Sequence, residues 1–249
     1  MPNGTNPSIE DALILFDRFR RHFGELKQIL NPERGSLWKL SIERRGDALS
    51  NQLHLDRHRL RQARPILADA ANNLIHSLDV LLGSLARHRG HRNPYQYFPV
   101  CREPDEFAAS MEKWTKFIGR NAAEALKARH ALLSSNIPHL QTIKRVSNSS
   151  KHWELLATGA SAHAVQVHLK SGSTRMFQIP SDAFSVHDSY EFHVGEEDFR
   201  QCTRQILVGL SIAGLPDGLP ISPETCLDCA SRYVEGMIEA VESAPPERA

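Results

Sequence analysis

Nowhere does this chain approach the roughly 18 consecutive apolar residues that a membrane-spanning helix needs, so a membrane is not expected among its partners. The first residues, Met1 to Pro7, hold neither a basic stretch nor an apolar one, and Glu10, Asp11 and Asp17 follow closely. No secretory signal is expected, and the protein is expected in the cytoplasm. Cysteine is scarce, with 4 in 249 residues. That is too few for a disulfide framework, and cytosolic thiols stay reduced. Without a secretory route, Asn3-Gly4-Thr5 and Asn148-Ser149-Ser150 are not read as glycosylation sites. An excess of one charge is also missing. The 30 Lys and Arg residues against 29 Asp and Glu give a net charge of +1, which excludes a strongly basic coat for nucleic acid. G-x-G-x-x-G, the P-loop, H-E-x-x-H and G-x-S-x-G are all absent, so nucleotide-fuelled and zinc-protease chemistry have no support.

What is present is a hydrophobic content of 41%, enough for a core, in a chain long enough for one large domain or two small ones. Charge is uneven. The segment 39–102 is locally basic and the segment 181–200 locally acidic. Solvated helix faces account for both; contact with phosphates is the functional alternative for the basic one.

Helical spacing predicts a helix over 8–30, with Ile9, Leu13, Phe16, Phe23 and Leu26 on one side. Trp38, Leu40 and Ile42 alternate with polar residues and predict a short strand near 37–43. The segment 51–61 fits either period. A wide apolar stripe from Ile66 to Leu85 predicts a helix over 65–89 with Pro65 near its start. Another helix opens at Pro104-Asp105-Glu106, where proline and acids suit a helix N-terminus. Further helices are read over 121–134 and from Pro138. After His152 the period changes. Val165, Val167 and Leu169, the turn Ser171-Gly172 and then Met176 to Ile179 predict a β-hairpin. Tyr190, Phe192 and Val194 predict another strand, 205–212 is strand or helix, and Pro223 to Val241 is an amphipathic helix. The fold class is therefore α+β: mainly a helical bundle, with a small antiparallel β-sheet and a C-terminal helix. The expected organisation is a bundle over 1–155 with the short strand near 37–43, a β region over 156–213, and a linker and docking helix over 214–249.

The helix from Pro138 carries the candidate site. At about 100° per residue, Leu140, Ile143 and Ser147 share one side. Gln141, Arg145, Asn148 and His152 share the other, and steps of three and four let their side chains reach one ligand. An arginine fork suits a phosphate, and a histidine moves a proton near neutral pH. Together they would stabilise charge on phosphorus and activate a ribose 2′-hydroxyl without metal. The plain alternative is a solvated face. Ser-Asn-Ser-Ser is a poor helix interior, so the helix is free to end before His152.

Asp79 lies inside an apolar helical stripe, with Asn73 six residues before it. A carboxylate there is expected to pair with a cation or a helix end, with Lys151 or His152 as the favoured partners. Asp79, Asn73, Asn148 and Lys151 thus form a candidate binding or structural polar cluster. Cys226-Leu227-Asp228-Cys229 is a single CxxC without the second close pair of a four-ligand zinc site, and reads as two small core residues. Arg87-His88-Arg89 suits a helix C-terminus. Neither a metal nor a cofactor is expected.

Three segments in order, Asn73-Leu74-Ile75-His76-Ser77-Leu78-Asp79, Gln96-Tyr97-Phe98-Pro99 and Ser147-Asn148-Ser149-Ser150-Lys151-His152, resemble a family of uncharacterised bacterial proteins. That family has an Asn-x5-Asp helix, a Gln-x-Phe-Pro segment and a Ser-Asn-x-x-Lys-His motif. Ile75 stands where the family usually has arginine. The resemblance implies no particular activity. A second likeness, to HEPN-type helical domains, rests on Arg145 and His152 alone. It implies a metal-independent endoribonuclease of toxin or defence type, with Arg145 and His152 catalytic and the chain acting as a homodimer. The expectation that leads is a binding or interaction domain whose ligand the sequence does not identify, with RNA or another protein as the candidate partners; the ribonuclease is the alternative.

Overall fold

The computed structural model describes residues 9–30, 38–91, 97–101, 103–151, 158–169, 171–180, 182–184, 187–199, 202–212 and 223–245, with side chains at all of them except 60, 150, 151, 158–163 and 204–212. The elements run α1 (Glu10–Leu30), β1 (Trp38–Arg45), β2 (Ala48–Leu55), α2 (Arg57–His88), α3 (Pro104–Ile118), α4 (Arg120–Leu132) and α5 (Ile137–Lys151). Then come β3 (Thr158–His168), β4 (Thr174–Gln178), β5 (Ser189–Gly195), β6 (Thr203–Ile212) and α6 (Pro223–Glu242). This is the expected α+β class. Among the described residues no helix is long and apolar enough to cross a membrane.

The chain divides into two compact units, each discontinuous in sequence. One comprises residues 1–23, 68–154 and 224–249; the other comprises 24–67 and 155–223. A boundary at 155 was expected. Residues 24–67 instead cluster with the later strands, because β2 hydrogen-bonds to β5 far along the chain. The linker read from residue 214 lies, up to residue 222, outside the described residues.

The helical unit is built from apolar stripes at helical spacing. Ile9, just before α1, and Ala12, Phe16, Phe19 and Phe23 on it are buried, and the three phenylalanine rings stack in series at 5.6 and 5.5 Å. On α2 the stripe includes Ala70, Leu74, Leu78, Leu81, Leu82 and Leu85. Each fully buried leucine contributes about 1.5–3 kcal/mol. Pro104 opens α3, with Asp105 and Glu106 at the positive end of its dipole, and Phe107, Met111, Trp114 and Ile118 face inward. Gly119, at φ +92°, ends α3 by donating its N–H to the Thr115 carbonyl, and α4 starts at the next residue.

In the β unit, β1 and β2 form a hairpin closed by Gly46-Asp47, with Gly46 at φ +63°. β5 adds to β2, giving the order β1-β2-β5; the second sheet has the order β4-β3-β6. The β3–β4 hairpin pairs Val165 with Phe177, as the alternation predicts. The Trp38 strand is therefore one edge of a sheet rather than an excursion from the bundle. Trp38, Leu53, Leu55, Val165, Val167, Ile179, Phe184 and Phe199 make the shared core.

The second helix starts at Arg57, eight residues before Pro65. Asp56 explains the difference. Its Oδ1 accepts the Arg59 N–H at 3.1 Å, in the geometry of an N-cap. Burial pushes the Asp56 carboxyl up, but the Arg59 N–H and the Lys39 ammonium at 3.3 Å outweigh it and hold the group below its ordinary value.

A polar cluster in the helical unit

Helix α5 turns its apolar side inward as the projection predicts: Ile137, Leu140, Ile143 and Val146 are buried. Ser147 is on that side too, 0% exposed, and its Oγ donates to Asn72 Oδ1 on α2 at 2.7 Å. Buried hydroxyls need such a partner. Arg145 and Asn148 lie on the exposed side. Despite its run of poor helix formers, α5 continues to Lys151. Ser149 fits by back-bonding its Oγ to the Arg145 and Val146 carbonyls, both at 3.1 Å. Lys151 is the last described residue of the helix, with its side chain outside the described residues, and His152 lies outside them altogether.

Asp79 is half-buried, and its Oδ1 accepts the backbone N–H of Phe98 at 2.7 Å. The partner identified is thus a main-chain donor; the side chains of Lys151 and His152, favoured from the sequence, are outside the described residues. Phe98 is itself buried and packs against the rings of Phe107, at 5.7 Å, and Tyr233, at 6.4 Å. The neighbouring Tyr97 is 77% exposed.

Asn73, the amide singled out beside Asp79, turns back along its own helix and donates to the Asp69 carbonyl at 2.8 Å. Asn72 does the bridging instead. The signal was available: Asn72 and Asp79 are seven apart, two helical turns, and so share a face, whereas a step of six separates Asn73 from Asp79 by about 120°. One face of α2 therefore anchors two of the segments singled out in the sequence, α5 through Ser147 and the Tyr97-Phe98 segment through its backbone.

A second buried polar group went unread in the sequence. His130 continues the inward stripe of α4 after Ala122, Ala123 and Leu126. Its Nδ1 is hydrogen-bonded to the Tyr233 hydroxyl at 2.7 Å, and its ring stacks on Phe107 at 3.8 Å, nearly parallel. Only 1% of His130 is exposed, and burial pushes its pKa down to about 4, so the imidazole is neutral at physiological pH. Among the described residues, its Nε2 has no hydrogen-bond partner. Burial likewise raises the Tyr233 phenol.

Cys226 is buried on α6, with its Sγ 3.8 Å from His139 Nδ1 on α5. Among the described residues no group of three or more His, Cys, Asp or Glu side chains is arranged to hold a metal ion. Arg87, in the last turn of α2, reaches Ser84 Oγ at 2.9 Å and Asp11 at 3.8 Å, which fits a dipole-facing role. In the β unit the Glu197 carboxylate sits between His193, at 3.0 Å, and Arg175, at 2.5 Å. These two, with His193 the stronger, hold it below the usual carboxylate range.

No protein-family model, no curated protein and no solved structure matches this chain.

Proposed function

We propose that the protein is a binding domain whose ligand meets the outer face of α5 at Arg145 and Asn148, and that the ligand carries anionic oxygen, as RNA does. The observation that carries this reading is the bond from Ser147 Oγ to Asn72 Oδ1. It pins the rotation of α5, so that Arg145 and Asn148 are held outward. A planar guanidinium beside an amide is a donor set for phosphate. The test is fluorescence anisotropy with labelled single-stranded RNA. Arg145→Ala and Asn148→Ala should each weaken binding severalfold, and the loss from Arg145→Ala should fade with added salt. Equal affinity of wild type and both variants would sink the reading.

A second reading is cleavage of RNA without a metal, and the length of α5 favours it. The helix runs unbroken to Lys151, the residue next to His152 in sequence. In this reading Arg145 steadies charge on phosphorus and His152 takes the 2′-hydroxyl proton. Incubation of total RNA with a chelator distinguishes the two. Cleavage that disappears in His152→Ala supports the nuclease, and intact RNA leaves binding alone.

A further inference from the structure

The two cysteines of Cys226-Leu227-Asp228-Cys229 differ in their surroundings. Cys226 is fully buried, whereas Cys229 is half-buried. His139 stands beside the inner one, Nδ1 to Sγ at 3.8 Å. Burial, and then the neighbouring Cys229, push the Cys226 thiol up to about 11. With Cys226 protonated, its S–H donates to His139 Nδ1 in the tautomer that carries the ring proton on Nε2. Residues three apart on an α-helix have Cα atoms about 5 Å apart. That Cα separation is within the range of a disulfide, and bringing the Cβ atoms from about 5–6 Å in a regular helix to the roughly 4 Å of the bond takes a local adjustment of the backbone.

We propose that Cys226 and Cys229 are a thiol–disulfide pair that reacts with a small-molecule disulfide, with His139 as the base for ring closure. Cys229 opens the reaction, because it is reachable and the buried thiol keeps its proton. Its thiolate attacks one sulfur of the small disulfide. That S–S bond breaks, one small thiolate leaves, and Cys229 carries the other half as a mixed disulfide. Cys226 then gives its proton to His139 Nδ1, and its sulfur attacks the sulfur of Cys229. The mixed bond breaks, and the second small thiolate leaves and takes up a proton. The balance is one small disulfide reduced to two thiols and one protein dithiol oxidised. The exposed partner attacks, the buried one closes, and the histidine lies where the closing proton must go.

The experiment exposes the full-length protein to glutathione disulfide at pH 7, quenches by alkylation over time, and reads intact mass and peptide maps. The expected product has lost two hydrogens, keeps no glutathione, and is linked between Cys226 and Cys229. Cys226→Ser should stop at a glutathione adduct on Cys229, and Cys229→Ser should form neither product. His139→Gln should slow closure about a hundredfold and let the adduct accumulate, with the same final oxidised fraction. Circular dichroism and a urea midpoint show which variants are folded. The wild-type time course stands without them, because any adduct on Cys229 must give way to the Cys226–Cys229 link. A persistent adduct in the wild type, or linkage through Cys101 or Cys202, overturns the pair. Unchanged closure in a folded His139→Gln overturns the role of the histidine.

Discussion

Ser147 on α5 and Asn72 on α2 are joined by a hydrogen bond of 2.7 Å, with the serine fully buried. Ser147→Ala should cost about 1–3 kcal/mol, the range for removing one partner of a buried bond. Asn72→Ala should cost a similar amount, and the double variant less than the sum, because both changes break one bond. Asn73→Ala should stay within about 0.5 kcal/mol, since its amide only turns back on its own helix. Urea denaturation measures all four. Additive losses at 72 and 147 would mean that the bond is not shared.

Asp79 and the Phe98 N–H should behave as a second anchor. Asp79→Ala removes the acceptor of the N–H of buried Phe98 and should cost about 1–3 kcal/mol. Asp79→Asn keeps an oxygen in place and should cost less. Hydrogen exchange at the Phe98 amide is the direct readout. It should speed up strongly in Asp79→Ala and modestly in Asp79→Asn, while amides in the middle of α4 change only with global stability.

How far these anchors were legible in the sequence follows from their range. Helical stripes on α3 and α5, and the β3–β4 alternation, are local patterns. Periodicity finds them. Asn72 was readable in principle, because its step of seven to Asp79 puts both on one face, but nothing local says that Ser147 lies opposite. The start of α2 was ambiguous because Leu53, Leu55, His54 and His58 suit both periods, and a single cap at Asp56 decides it. The pairing of β2 with β5 is wholly non-local. Alternation marks both as strands, but only packing chooses the partner, and that choice divides the chain into discontinuous units.

Acid should weaken the fold through His130. Its pKa falls from 6.5 in the unfolded chain to about 4 in the folded one. Between those values the unfolded state binds the proton and the folded state does not. Stability is therefore intact above about pH 6.5 and is lost as pH drops towards 4, by about 3 kcal/mol. Urea midpoints at pH 7.5, 5.5 and 4.5 should trace this decline, and His130→Phe should flatten it while lowering the plateau, because Tyr233 then loses its partner. A histidine resonance for residue 130 that titrates near pH 6.5 in the folded protein would refute the account.

In the β unit the most demanding position is Asn51, which is fully buried on β2 next to a register shift. Its Nδ2 donates to the Glu197 carbonyl at 3.1 Å, and its Oδ1 accepts the Phe199 N–H at 3.4 Å. One amide thus holds two main-chain groups from a distant segment, because it offers a donor and an acceptor on two separate atoms. Asn51→Ala removes both bonds and should cost about 3 kcal/mol. Asn51→Asp is the sharper test, being nearly isosteric. At pH 7 its carboxylate retains the acceptor but turns a bare oxygen towards the Glu197 carbonyl, with no solvent to relieve it. It should be at least as destabilising as alanine. Burial and that carbonyl both raise its pKa in the folded state, so the folded form binds the proton more readily than the unfolded one. As pH falls from 7 towards 5, before His130 contributes its full loss, the protonated carboxyl regains a donor. The gap between Asn51→Asp and wild type should narrow, while the gap for Asn51→Ala stays constant. Parallel pH curves for the two variants would show that Asn51 fills space rather than bridging the two segments.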